Sequence, residues 1–202
     1  MKKLNNMLKD LGACKEAIEW CGDKTPAQAW NECERADWML WICGKMIGKK
    51  GWPNRKRLVL AACACAKTAL KYWEKKYPDD KRPHHAIKIA EKWAHGNASL
   101  EEVKAYAACA DAAYTAARSA RSAYAAYAAY AAYAAADAAD AADAAYDAAY
   151  AAYAAADAAA YAAADAAARD KSLADFAEAV VQILIDMKAP GCAFLSLTEI
   201  NA

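Results

Sequence analysis

Trp30, Cys33, Asp37 and Trp41 recur at three- and four-residue spacing. On one helix they would fall within about 80° of each other. Arg35 and Trp38 point to other sides. A carboxylate on an aromatic face suits one of two tasks. It takes up an arginine or amine from a ligand, or it pairs with a basic group of its own chain, because a buried charge needs a partner. Trp30, Trp38 and Trp41 also offer ring faces for a planar base, with Arg35 and a basic loop to hold phosphate. The candidate ligand-binding set is therefore Trp30, Arg35, Asp37, Trp38, Trp41, Arg55, Arg57, Arg118 and Arg121.

The remaining reactive residue types point to no chemistry. Cys63 and Cys65 are two apart, about 200° around a helix, so they cannot share one metal. His84 and His95 share a face but stand about 16 Å apart along it. The chain has no Cys-x-x-Cys, P-loop, Gly-x-Gly-x-x-Gly or Gly-x-Ser-x-Gly, and no nucleophile stands beside an obvious base. The expectation is a binding protein that is not an enzyme and needs no metal or cofactor.

Helices must position these residues. Leu11, Cys14, Ile18 and Cys21 make one apolar face in a helix over 2–21, with an irregularity at Gly12. Thr25-Pro26-Ala27-Gln28 starts the next: Thr25 caps, Pro26 suits the first turn and Gln28 completes a capping box. That helix is expected to run to about Cys43. Asn54 caps a third, whose run from Leu58 to Cys65 is apolar nearly all round and so reads as the central helix. Tyr77 to Pro83 is a polar turn, and a short helix closes at Gly96. No stretch alternates with period two, so the fold class is all-α.

Residues 99–170 are mostly alanine, interrupted every three or four residues by Tyr, Asp or Arg, without Gly or Pro. Alanine is the best helix former, since it loses no side-chain entropy. As one straight helix this stretch would span about 108 Å, far more than the body preceding it. A fold-back or pairing with a second copy is expected instead, with residues 137–147 the weakest point. From Asp137 to Arg169 the interruptions fill one arc and leave an alanine seam for packing. The aspartates, Asp157 among them, are expected in water. Ser172 suggests a fresh start near Asp170 for an amphipathic helix bearing Phe176, Val180, Ile183, Leu184 and Met187. The expected plan is thus about four helices in a Trp-rich core over 1–98, a long alanine-rich helix or hairpin with the amphipathic helix over 99–188, and a tail over 189–202.

All seven tryptophans lie within residues 1–93, and ten of the twelve tyrosines lie after residue 105. Charge is split as well. Residues 1–98 hold 20 Lys/Arg and 11 Asp/Glu, a balance of +9; residues 99–202 hold 6 and 14, a balance of −8. The simplest reading is that the halves attract each other or a second copy. Nucleic acid is a poor partner, because the acidic half competes with any phosphate backbone. The N-terminus MKKLNNMLKD lacks the apolar core of a signal peptide. The longest uncharged run in the repeat, residues 122–136, is short of a membrane span. A cytoplasmic protein with reduced cysteines is expected.

Over residues 12–111 the chain resembles a family. Gly12-Ala13-Cys14 with Ala17 and Trp20, Ala29-Trp30, Cys33, Arg35-Ala36-Asp37-Trp38-Met39-Leu40-Trp41, Leu58 to Cys65, and Ala90 to Gly96 with Ser99 to Val103 are similar to the Imm-5-like immunity proteins. The Asp-Trp-x-Leu-Trp element is the specific part, and the alanine–tyrosine repeat adds little. The resemblance implies a phage-associated, non-enzymatic binder that neutralises a protein toxin or host-defence effector. Two alternatives stand beside it: a sponge that sequesters a nucleotide-derived immune signal, and a structural, self-associating helical protein. A concave, half-exposed Trp/Arg pocket would favour the sponge.

Overall fold

The computed structural model describes residues 4–49, 51–120, 122–140, 144–163 and 166–186. Among these there are ten α-helices and no strand. They are α1 (Leu4–Asp10), α2 (Lys15–Cys21), α3 (Pro26–Glu32), α4 (Ala36–Lys45), α5 (Arg55–Lys76), α6 (Arg82–Ala94), α7 (Leu100–Ser119), α8 (Ala123–Asp137), α9 (Ala144–Ala163) and α10 (Ala166–Asp186). The expected tail, 189–202, and Met187 lie outside the described residues.

The start signals act as read. Thr25 and Ser99 each form a full capping box, with Gln28 and Glu102. The Asn54 side chain accepts from the Arg57 N–H at 3.0 Å. Each satisfies an orphan N–H of a first turn, worth about 1 kcal/mol. Gly12, at φ 81°, separates α1 from α2. That conformation costs glycine little and other residues more.

Two helices divide where the sequence shows no breaker. The helix expected over 25–43 is two, because Cys33 (ψ 114°) and Arg35 (φ −118°, ψ 89°) leave helical geometry. The alanine-rich stretch divides at residues 120–122 and again after Asp137. It folds back, and no 108 Å rod exists. The second division falls within the expected weak segment. There Lys104 meets Asp140 at 3.0 Å. The fresh start read near Asp170 lies inside α10; α9 ends earlier, at Ala163.

One apolar core runs from Trp30 to Val180. The centre is shared by α5, α8 and α9, which pack on one another, and α5 is therefore not the only central helix. In α8 the alanines are buried on nearly every side, Ala125, Ala128, Ala131 and Ala135 at 0 % exposure. With no side chain beyond Cβ, neighbouring axes approach from several directions at once. Tyr124, Tyr127, Tyr130 and Tyr133 lie half-buried at its edges. Tyr130 joins three helices, with ring centroids 4.9 Å from Tyr114 and 6.0 Å from Tyr150.

The alanine seam of α9 is buried as expected, Ala148, Ala151, Ala152 and Ala158 all at 0 %. Asp157 corrects the reading of the aspartates as a solvated face. It is 8 % exposed, and burial raises its carboxyl pKa, opposed by Arg169. α10 packs on α9 and brings Arg169 near Asp157, so this part of the arc is covered, whereas Tyr146, Tyr150 and Tyr161 on it stay exposed. On α10, Phe176 and Val180 are buried, and Ile183 packs partly against the core.

Candidate functional site: an aromatic cavity

The short helices α1, α2 and α3 face α4 and α9 across a half-open cavity of about 710 Å³. A second, small apolar cluster, Leu4, Met7, Cys21 and Met46, holds α1 and α2 to the end of α4. α4 itself packs on α9 and α10. The cavity therefore opens between a light outer wall and the rigid bundle. Its size is that of ordinary ligand pockets, about 300–1,000 Å³.

Five of the nine candidate residues meet here: Trp30, Arg35, Asp37, Trp38 and Trp41. The break between α3 and α4 brings them together, and the helical face read from the sequence is not what does it. The extended backbone at Arg35 turns its guanidinium back on Asp37. Nε donates to Oδ1 at 2.9 Å and Nη2 to Oδ2 at 2.7 Å. Nη1 adds Glu16 at 3.4 Å. The Asp37 hydrogen bonds hold the Arg35 pKa above its ordinary value. Of the two tasks open to Asp37, the internal pair is the one it performs. The guanidinium also covers the Trp38 ring at 4.4 Å, and Trp38 meets Trp20 edge to face at 5.8 Å.

Arg55, Arg57 and Arg118 are not brought to the cavity. Arg55 and Arg57 begin α5. Arg118 donates to the Tyr114 hydroxyl at 3.3 Å near the end of α7. Arg121 lies outside the described residues. Arg35, already facing two carboxylates, has little attraction left for a phosphate.

Five lining aromatics escaped the sequence reading. Trp20 comes from α2 and Trp52 from the loop before α5; Tyr146, Tyr150 and Tyr153 come from α9. The tyrosines are spaced i, i+4, i+7 and so share a face. That spacing was the available signal; the sequence reading gave the arc opposite the alanine seam no role beyond its solvated aspartates. Lys45 reaches across from α4 to the Tyr146 ring at 4.7 Å, and Lys24 covers Trp20 at 4.6 Å.

The aromatic wall offers a surface for recognition. Cys33 lines the cavity, but burial pushes its thiol up to about 11, so it is no nucleophile at neutral pH. Aromatic rings dominate the wall; its charged groups, Arg35, Asp37 and Glu16, face each other, while the buried Trp52 indole N–H has no hydrogen-bond partner among the described residues. Among the described residues no group of His, Cys, Asp or Glu is arranged to hold a metal ion. No described helix is long and apolar enough to cross a membrane.

A family model described as Imm-5 like putative immunity protein matches residues 53–183. The chain belongs to the Imm-5-like family. Membership is consistent with neutralising a toxin. No curated protein and no solved structure matches the chain. The matched region begins later than the resemblance read over 12–111, and it includes the alanine–tyrosine repeat that was thought to add little. The Asp-Trp-x-Leu-Trp element, residues 37–41, precedes it. In this Imm-5-like protein the cavity is thus composite. Tyr146, Tyr150 and Tyr153 lie within the family region, whereas α1 to α4 and Trp52 come before it.

Proposed function

We propose that this Imm-5-like protein is a non-enzymatic, phage-associated binder that neutralises a protein toxin or host-defence effector by seating part of it in the aromatic cavity. The observation that carries this reading is the half-exposed Trp/Tyr wall: Tyr146 and Tyr150 keep 46 % and 49 % of their surface around a cavity of about 710 Å³. Tyr, Trp and Arg are the residue types that dominate binding hot spots. The outer wall, α1 to α3, and the α4 it faces lie before the family region, which supports a shared bundle carrying a wall specific to this chain's target.

The test is calorimetry of the purified chain against each protein encoded by the genes that flank its own. Binding that weakens at least about tenfold in Trp38→Ala/Tyr150→Ala, with helicity retained, is expected. Unchanged affinity in that variant overturns the assignment to this cavity.

The cavity is the concave, half-exposed Trp/Arg pocket expected for a sponge, and its small-molecule dimensions keep that as a second reading. Against an anionic nucleotide stands Arg35, neutralised by Asp37 and Glu16. Mass spectrometry of small molecules released on denaturing host-expressed protein checks it: a stoichiometric nucleotide would replace the protein-binding reading. Self-association through the alanine seam loses its motive, because those alanines are covered within the chain.

A further inference from the structure

The lining holds Glu16 and Asp37 beside Arg35, but the chain that leads from the wall into α5 is basic. Residues 38–73 supply Trp38, Trp41 and Trp52 to the cavity, and they contain eight Lys/Arg and no Asp or Glu. Arg55, Lys56 and Arg57 occupy the first turn of α5, which has no acidic residue. That end of a helix is the positive pole of its dipole, where cations are disfavoured. Arg55 and Arg57 have no carboxylate partner among the described residues to offset this. Lys56 lies over the Trp93 ring at 5.8 Å, but no comparable contact among the described residues offsets Arg55 and Arg57, three and five residues past Trp52.

We infer that the partner segment that docks on this protein is acidic and carries an aromatic or aliphatic anchor, the anchor entering the cavity between Trp38 and Tyr150 and the carboxylates facing the basic stretch that begins α5. This rests on the proposed role of the cavity and adds the chemistry of its occupant. The argument is charge complementarity. An acidic segment relieves the repulsion among Arg55, Lys56, Arg57 and the α5 dipole, and the field of a half carrying +9 speeds its approach. An aromatic or aliphatic anchor gains from desolvation against the cavity's rings, and the charges in the lining, Arg35, Asp37 and Glu16, already face each other. A consequence for the toxin follows. A surface that grips nucleic acid is basic, so this wall does not cover the phosphate-binding face of a nuclease.

The test uses the full chain and a random peptide library displayed on phage. Peptides selected on the wild-type protein are synthesised and titrated against it, against Trp38→Ala/Tyr150→Ala and against Arg55→Gln/Arg57→Gln, each checked for helicity by circular dichroism. The expected peptides hold a Trp, Phe or Leu flanked by Asp or Glu. Their affinity falls at least about tenfold in the cavity variant. It falls about three- to tenfold in the arginine variant, and weakens as salt rises from about 0.05 to 0.2 M. Cavity-dependent peptides without acidic residues, or without any effect of Arg55→Gln/Arg57→Gln, overturn the charge inference and leave the cavity reading standing. Peptides indifferent to Trp38→Ala/Tyr150→Ala, or no selected peptide at all, overturn both. A single-stranded oligonucleotide of about 20 residues is titrated alongside. Salt-sensitive binding of it that ignores the cavity variant assigns the basic stretch to phosphate and overturns the protein partner.

Discussion

Arg35 and Asp37, two positions apart, form a planar fork, with Nε to Oδ1 at 2.9 Å and Nη2 to Oδ2 at 2.7 Å. Asp37 is 8 % exposed, so the pair is what allows a carboxylate in the cavity wall. Arg35→Ala strands that charge and is expected to cost about 2–3 kcal/mol, somewhat below the range for a fully buried pair because Arg35 keeps some solvent. Arg35→Met/Asp37→Leu removes both charges and should cost much less. Urea unfolding of the three proteins decides. Equal losses in the single and double variants would show that the fork is not a coupled unit.

Trp41 and Trp73 should separate sharply. Trp73 is 1 % exposed and its indole donates to the Asp80 carbonyl at 2.6 Å. Trp73→Ala is expected to lose about 3–5 kcal/mol. Trp41 stands half-buried on the cavity, so Trp41→Ala should lose only about 1–2 kcal/mol. Denaturant midpoints measure both, and comparable losses would place Trp41 in the core.

Ala152 is fully buried on the α9 seam. Ala152→Leu inserts carbons where no space is left and is expected to destabilise by about 1–3 kcal/mol. A neutral or stabilising effect in urea unfolding would mean that the seam is open. Sedimentation at several concentrations checks that the loss belongs to the single chain.

The buried Asp157 carboxyl makes stability depend on pH. Burial raises its pKa, with Arg169 opposing. A carboxyl whose pKa is raised by folding holds its proton more tightly folded than unfolded. Its contribution is therefore favourable below the ordinary carboxylate pKa and is lost as pH rises through the raised value. Asp157→Asn removes that loss. The variant should show a higher urea midpoint than wild type at neutral pH, and the difference should shrink in acid. A lower midpoint at neutral pH would mean that the Arg169 attraction outweighs burial.

Thiol accessibility reports the packing. Cys14 and Cys109 are exposed; Cys63 and Cys65 are buried in α5. Burial pushes the Cys65 thiol up to about 12, and that of Cys63 up as well. Iodoacetamide at neutral pH should label Cys14 and Cys109 in the native protein, and Cys63 and Cys65 only after unfolding. Mass spectrometry of the digest measures it, and native labelling of Cys63 would contradict the core.

Local chemistry made much of this protein legible in its sequence. Thr25 with Gln28, Ser99 with Glu102, and Asn54 bond to backbone a few residues away, so their helix starts are written in adjacent residues. Alanine's low entropy cost made the repeat helical without reference to anything distant, and the family resemblance needed no fold at all. The tryptophans at 30, 38 and 41 were legible as a candidate cluster because three large rings fall close together in the chain beside Arg35 and Asp37. Only tertiary structure decided the rest. The turn at Cys33 to Arg35 and the division at 120–122 have no Gly or Pro to announce them. The division between α7 and α8 lets the alanine faces of α8 and α9 be buried against α5, and the turn before α4 lets α4 pack on α9 and α10. Asp157 is buried because α10 returns over a face that looks solvated in isolation. Tyr146, Tyr150 and Tyr153 join the cavity because α9 packs on α4, more than a hundred residues earlier in the chain. Burial is a property of what lies opposite, and no local spacing encodes it.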